Sequence, residues 1–312
     1  MPLSPVTVGR SAGLSDTGRK RRQNEDAYVC EPPLFAIADG MGGAQAGELA
    51  SRLAAAAIEE AGAGAGDAEA VASAVRAANA RIFERSLTDP AVAGMGTTAT
   101  VALVDEHAGT LTLAHVGDSR GYRYREGVLE QLTTDHSLVA ELVRTGRLTE
   151  AEAAVHPHRS VITRALGTEA EVEVDTRTLE LAPGDLILLC SDGLSAMVRD
   201  DDIARLLGDS DLDPYQAAET LVRAANAAGG EDNVTVVVFE VIEGTPRTTA
   251  PVTSEAGPEG GPTAGPDDVT SESALDGVQR HGAGKGSRWP ALLLVLAILA
   301  VAALAIWWTF LR

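Results

Sequence analysis

An α+β sandwich over residues 1–243 is the fold this sequence predicts. Three observations carry it. Apolar runs of strand length are interspersed with longer segments of helical spacing. Their order is not a strict strand–helix alternation: two long helices follow the first strands, consecutive strands fill 97–125, and a final helix precedes the last strand. Apolar residues make up 45% and charged residues 22% of the 312 positions, which excludes wholesale disorder.

The first strand is placed at 34–38, where Leu34-Phe35-Ala36-Ile37-Ala38 is an unbroken apolar run. Helices follow at 45–60 and 68–86. The glycine run at 62–66 between them reads as an interhelical loop, matching neither GxGxxG nor a phosphate-binding P-loop. Strands at 97–104, 110–116 and 121–125 have β-branched or alternating apolar content. Short helices at 138–146 and 150–155 precede strands at 172–179 and 185–190. Helices at 201–207 and 214–228 and a strand at 234–241 complete the domain. No internal repeat of about 20–50 residues appears.

Composition changes after Glu243. Residues 244–288 hold 9 Gly, 5 Pro and 10 Ser or Thr and no aromatic residue, so a disordered linker is expected there. As a flexible coil it would average about 35–40 Å end to end. Residues 289–311 carry no charge over 23 positions, with Trp289 at one end and Trp307-Trp308 at the other. That is the length and aromatic flanking of a transmembrane helix. Arg280, Lys285 and Arg288 precede it and only Arg312 follows, so the 1–288 side is expected in the cytoplasm. The first residues lack the apolar stretch of a signal peptide.

The chain has 25 basic against 45 acidic residues, a formal net charge of −20. Such acidity argues against a nucleic-acid binder, which needs a basic face. Cys30 and Cys190 form no zinc pattern and are too few for a disulfide framework.

The chemistry lies in acids at strand ends. Ala38-Asp39-Gly40, Gly117-Asp118-Ser119, Ser191-Asp192-Gly193 and Glu231-Asp232-Asn233 each flank an apolar strand, and a fifth acidic pair, Glu25-Asp26, precedes Ala27-Tyr28-Val29. One Asp-Gly alone is a turn. Five acidic turns in one domain suit hard divalent cations, Mg²⁺ or Mn²⁺, and not zinc. The His156-Pro157-His158 spacing is set aside as a metal site because a loop proline separates the rings.

Taken in order, Arg21-Arg22-Gln23-Asn24-Glu25-Asp26, Ala38-Asp39-Gly40-Met41-Gly42-Gly43, Gly96-Thr97-Thr98-Ala99, Gly117-Asp118-Ser119-Arg120, Thr134-Asp135-His136-Ser137, the run from Ser160 to Gly167, Ser191-Asp192-Gly193-Leu194 and Glu231-Asp232-Asn233-Val234-Thr235 closely resemble the protein phosphatase 2C family of metal-dependent serine/threonine phosphatases. The resemblance covers about residues 5–243, and the anchor resembles the bacterial membrane-bound branch that opposes Ser/Thr kinases. It implies a β-sandwich of two antiparallel sheets flanked by helices, with two core Mn²⁺ or Mg²⁺ ions at one edge and room for a third. By motif position, Asp39 would bridge both ions and the Gly40 carbonyl would bind the first. Asp192 and Asp232 would hold the second, with Glu25 nearby, and Asp26 would orient the attacking water. Asp118, Asp192 and the Ser160 backbone match the third site. Arg21 falls where the phosphate-binding arginine lies, with Arg22 the alternative. Residues 138–158 match a mobile flap. The implied partners are phosphorylated Ser/Thr proteins, including a membrane Ser/Thr kinase, and the implied state is a monomer.

Physics supports the metals independently. Residues 1–243 hold 20 basic and 39 acidic groups, a field that repels a phosphomonoester unless divalent ions invert it locally. One departure stands out: many family members carry histidine where this chain has Met41, which transfers no proton. His136 or His158 are the candidates to protonate the leaving oxygen instead, beside water held by the metals. A phosphoprotein-binding pseudophosphatase would have lost Asp39, Asp192 or Asp232, and none is lost. An unrelated Mg²⁺ nuclease is disfavoured by the missing basic groove.

Overall fold

A computed structural model describes residues 5–62, 65–209 and 212–244. The spanning segment expected at 289–311, and the linker after Gly244, lie outside the described residues. Among the described residues no helix is long and apolar enough to cross a membrane.

Two antiparallel sheets form the centre. The first contains β1 (Val6–Asp16), β7 (Arg120–Arg125), β8 (Val128–Gln131), β10 (Leu186–Cys190) and β11 (Val234–Glu243), in the order β1-β11-β10-β7-β8. The second contains β2 (Asp26–Glu31), β3 (Leu34–Met41), β5 (Ala99–Asp105), β6 (Thr110–Val116) and β9 (Asp175–Glu180), in the order β2-β3-β5-β6-β9, with β4 (Gly96–Thr97) pairing off β3.

Period-two alternation explains why both sheets are covered on both faces. Along β11, Val237, Phe239 and Val241 point between the sheets, while Val234, Val236 and Val238 point the other way. On β3, Phe35 and Ile37 face inward and Leu34, Ala36 and Ala38 face outward. Phe35 and Phe239 stack across the sandwich with ring centroids 3.9 Å apart. Burying each such ring stabilises the fold by roughly 1.5–3 kcal/mol. The outer face of the β3 sheet packs against α1 (Ala44–Gly62) and α2 (Ala68–Thr88) through Ala50, Ala54, Ile58, Val71, Val75 and Ile82. The outer face of the β11 sheet packs against α5 (Asp192–Ser195), α6 (Asp200–Leu207) and α7 (Pro214–Ala227) through Leu194, Ile203, Leu207 and Leu221. The layers are therefore helix, sheet, sheet, helix, as expected.

Between β8 and β9 the chain leaves the sandwich. It forms α3 (Leu138–Arg144) and α4 (Glu150–Ala154), which contain no buried residue. Its two stalks are joined by a bridge between Ser137 and Ile162. Three strands were not expected from sequence: β1, β2 and β8. Together with β9, whose start is shifted from 172 to 175, they are the four sheet edges. The expected 97–104 strand is split into β4 and β5, and the short α5 was not anticipated.

Candidate active site

The sheet register brings the acidic turns to one end of the sandwich. Asp26 opens β2 and sits directly across the ladder from Asp39 near the end of β3. Asp118 follows β6, Asp192 follows β10 and starts α5, and Asp232 precedes β11. Antiparallel pairing of β10 with β11 places the end of one beside the start of the other, Cys190 opposite Val236.

Main-chain, hydroxyl and guanidinium contacts position the residues that carry the carboxylates. The Asp39 N–H donates to Thr98 Oγ1 at 2.9 Å, and its carbonyl accepts from the Thr98 N–H and from Thr97 Oγ1. Gly40 has no room for a Cβ, which would fall 2.2 Å from the Gly47 carbonyl oxygen. Thr235 Oγ1 donates to Asp26 Oδ2 at 2.6 Å, while Asp26 Oδ1 is buried without a hydrogen-bond partner. Asp192 is held through Ser191, whose N–H reaches the Thr235 carbonyl and whose Oγ accepts the Thr235 N–H. Gly117, at φ +113°, turns the chain into Asp118. Arg21 Nη2 donates to Asp232 Oδ2 at 2.6 Å.

Asn233 is a functional neighbour to which sequence reasoning gave no role. Its Oδ1 accepts the Glu25 N–H at 2.8 Å, and its Nδ2 donates to the Thr17 and Gln23 carbonyls. It thereby ties the loop carrying Arg21 and Glu25 to the strand start carrying Asp232. The signal was its place in the Glu231-Asp232-Asn233 motif, but nothing local named its partners.

Charge accumulates here. Burial pushes the Asp39 carboxyl well above the usual range, and Asp26, Asp192, Asp118 and Asp232 add to the effect. Burial likewise pushes Asp26 up to about 7, Asp118 up to about 7 and Asp192 up to about 6. Glu25, 8% exposed, is raised by burial against the pull of Arg21. Asp192 and Asp39 lie within hydrogen-bonding reach of each other.

Such a group fits hard divalent cations. Its donors are carboxylate oxygens, one of them an unpartnered buried atom, and its like charges raise one another's pKa. Among the described residues no group of three or more His, Cys, Asp or Glu side chains is arranged to hold a metal ion by itself. Mg²⁺ and its relatives use few protein carboxylates and complete their shells with water and carbonyl oxygen, so an open carboxylate edge meets that requirement. A hollow of 720 Å³ beside Pro32, Leu103 and Thr178 lies at the β2–β3 and β5–β6 turns and holds none of these carboxylates.

Ser160, whose backbone is expected to contribute to the third site, is exposed beyond α4. His136 is 6% exposed; its Nδ1 accepts the Gly117 N–H at 3.0 Å, and its Nε2 lies 3.2 Å from Asp175 Oδ2. Both ring nitrogens are engaged, so His136 suits a structural post better than proton delivery. Met41 pairs with Gly96 at the end of β3.

Comparison with known proteins shows the family and the fold. The Protein phosphatase 2C family model matches residues 14–234. The serine/threonine protein phosphatase PstP of Mycobacterium tuberculosis is 44% identical over 255 residues, covering 80% of this chain and 48% of that protein. The chain thus spans about half the length of that relative. The serine/threonine phosphatase stp of Listeria monocytogenes is 39% identical, covering 72% of this chain and 93% of its own. A crystal structure of the M. tuberculosis PstP/Ppp phosphatase aligns with TM-score 0.71 and 43% identity, covering 76% of this chain and all of that one. The PstP catalytic domain in complex with two manganese ions aligns with TM-score 0.69 and 41% identity, over 75% of this chain and 99% of its own. With the sandwich, the ordered motifs and a family match spanning both edges of the acidic group, the chain belongs to the protein phosphatase 2C family.

Proposed function

We propose that this chain is a metal-dependent protein serine/threonine phosphatase, anchored in a membrane through residues 289–311 with its catalytic domain cytoplasmic. The observation that carries the reading is the convergence of Glu25, Asp26, Asp39, Asp118, Asp192 and Asp232 on one sandwich end beside Arg21. Asp39, the Gly40 carbonyl, Asp192, Asp232 and Glu25 would hold two Mn²⁺ or Mg²⁺ ions, and Asp118 with Asp192 and the Ser160 backbone a third. When bound, such ions neutralise phosphoryl oxygens and make water a nucleophile near neutral pH.

The side chains supply the rest. Asp26, fixed through Oδ2, offers its free Oδ1 to the attacking water and aims it at phosphorus. Arg21 spends Nη2 on Asp232 and keeps its other N–H groups for phosphate oxygens. A bond forms from water oxygen to phosphorus as the bond to the serine or threonine oxygen breaks, releasing the alcohol and inorganic phosphate. The substrates are phosphorylated Ser/Thr proteins, among them a membrane Ser/Thr kinase; nucleic acid is not bound, and the chain acts as a monomer.

Full-length protein with Mn²⁺ should release phosphate from a phosphothreonine peptide and stop in EDTA, with activity returning on Mn²⁺ or Mg²⁺ addition. Undiminished turnover in EDTA would remove the metal-dependent reading.

A further inference from the structure

The basic side chains of this acidic domain are nearly all neutralised. Among the described residues every arginine outside two short stretches has a carboxylate oxygen within 4 Å. The cations without such a partner are Arg19, Lys20 and Arg22 in one stretch and Arg144 and Arg147 in the other. All five are exposed.

Their placement is not scattered. The Arg19 and Lys20 N–H groups both donate to the Gly230 carbonyl, and Arg21 between Lys20 and Arg22 reaches Asp232. Arg144 and Arg147 belong to the α3–α4 excursion, whose far stalk is tied to the same loop by the Arg159–Glu231 ion pair at 3.7 Å. The first stretch therefore borders the loop Gly230–Glu231–Asp232 beside the acidic site, and the second lies on the excursion whose far stalk reaches that loop. In a domain with 39 acidic groups against 20 basic ones, a surface cation has carboxylates to spare nearby. Those left unpaired are confined to the stretch before Glu25 and to the α3–α4 excursion.

We infer that Arg19, Lys20 and Arg22, with Arg144 and Arg147, form a cationic rim that selects phosphorylated protein segments carrying further negative charge next to the target residue. The inference rests on the phosphatase reading and adds the substrate class. The shared chemistry is an anionic flank, supplied by Asp or Glu or by a second phosphate. Without such a rim, the net charge of the domain would repel these substrates. The contacts are exposed, so they act on encounter and ground-state binding, and appear in KM and in salt dependence before kcat.

The test uses the full chain with Mn²⁺ and phosphothreonine peptides of one length, flanked by Glu, Gln, Lys or a second phosphothreonine, with p-nitrophenyl phosphate as a substrate lacking flanks. At low salt the Glu-flanked peptide should exceed the Lys-flanked one roughly tenfold in kcat/KM, since several exposed pairs of modest strength add. The doubly phosphorylated peptide should exceed the Gln-flanked one. The preference should reside in KM and collapse near 0.5 M NaCl, where the Debye length is only a few ångströms. Arg19→Glu with Lys20→Glu should flatten or reverse the order, and Arg144→Glu with Arg147→Glu should weaken it. Neutral variants, Arg19→Gln with Lys20→Gln, should show the same direction with a smaller step. Equal kcat/KM on all flanks overturns the inference alone. A parallel fall on p-nitrophenyl phosphate in the Arg19/Lys20 variants would mean these cations hold the scissile phosphate, and also overturns it. An intact flank preference, with activity in the variants newly indifferent to phosphatidylserine in the carrier vesicles, would assign the rim to the bilayer and overturn it too. Absence of turnover on every substrate would remove the phosphatase reading and this inference with it.

Discussion

Asp39 stands among four other carboxylates, and that crowding decides what its substitution should do. Asp39, Asp26, Asp118 and Asp192 all bind protons more tightly in the fold than in the open chain. Between about pH 4 and pH 7 the folded state therefore holds more protons than the unfolded one, and metal-stripped protein should lose stability as pH rises through that window. Asp39→Asn should lower kcat by orders of magnitude in Mn²⁺, yet in EDTA it should unfold no earlier than wild type at about pH 8 and show a flatter fall in Tm from about pH 5 to 8. Calorimetry and steady-state kinetics on one preparation separate the two effects; a large loss of Tm in EDTA would mean Asp39 holds the fold instead. Arg21→Ala should cost about 1.5–3 kcal/mol in kcat/KM, the worth of a charge-assisted bond. Unchanged kcat/KM would pass the phosphate role to Arg22. The acids were legible because carboxylates beside glycine at strand ends have few structural uses. The roles of Asn233, Thr98 and Thr235 were not, because each depends on which backbone groups the register brings within reach.

At the scale of elements, legibility followed burial. β11 and β3 are packed on both faces, so their apolar runs announced them. β1 has one partner strand and reads Val-Thr-Val-Gly-Arg-Ser-Ala-Gly-Leu-Ser-Asp, with a register shift between Val8 and Ser11. An edge strand needs only part of its surface apolar, which removes the periodic signal. α5 is four residues long and exists to carry Asp192; its Gly193 faces the Asn233 carbonyl, which a Cβ would approach to 1.9 Å. Gly193→Ala should force α5 away from β11 and cost roughly 1–3 kcal/mol of stability, as overpacked sites do. Gly66→Ala, with open space around it, should be close to neutral. Thermal unfolding of the two variants side by side checks this, and equal Tm values would show that α5 shifts freely.

At the scale of the whole chain, the question is how a catalytic domain of net negative charge is kept near its substrates. The 23 uncharged residues at 289–311 and the basic residues just before them underlie the proposed anchor, and the 244–288 composition underlies the proposed tether. A tether averaging about 35–40 Å would let the domain reorient freely, so the bilayer should leave the acidic site unaltered while raising its effective concentration toward membrane phosphoproteins. A chain ending at Glu243 should therefore be soluble and match the full-length protein on p-nitrophenyl phosphate. Full-length protein should sediment with membranes and resist carbonate extraction. Dephosphorylation of a membrane kinase should suffer more from the truncation than hydrolysis of a soluble peptide, because only the former draws on confinement. Orientation has its own readout: protease added outside intact cells should leave residues 1–243 uncut. Digestion of that domain under those conditions would reverse the proposed topology, and with it the assignment of cytoplasmic substrates.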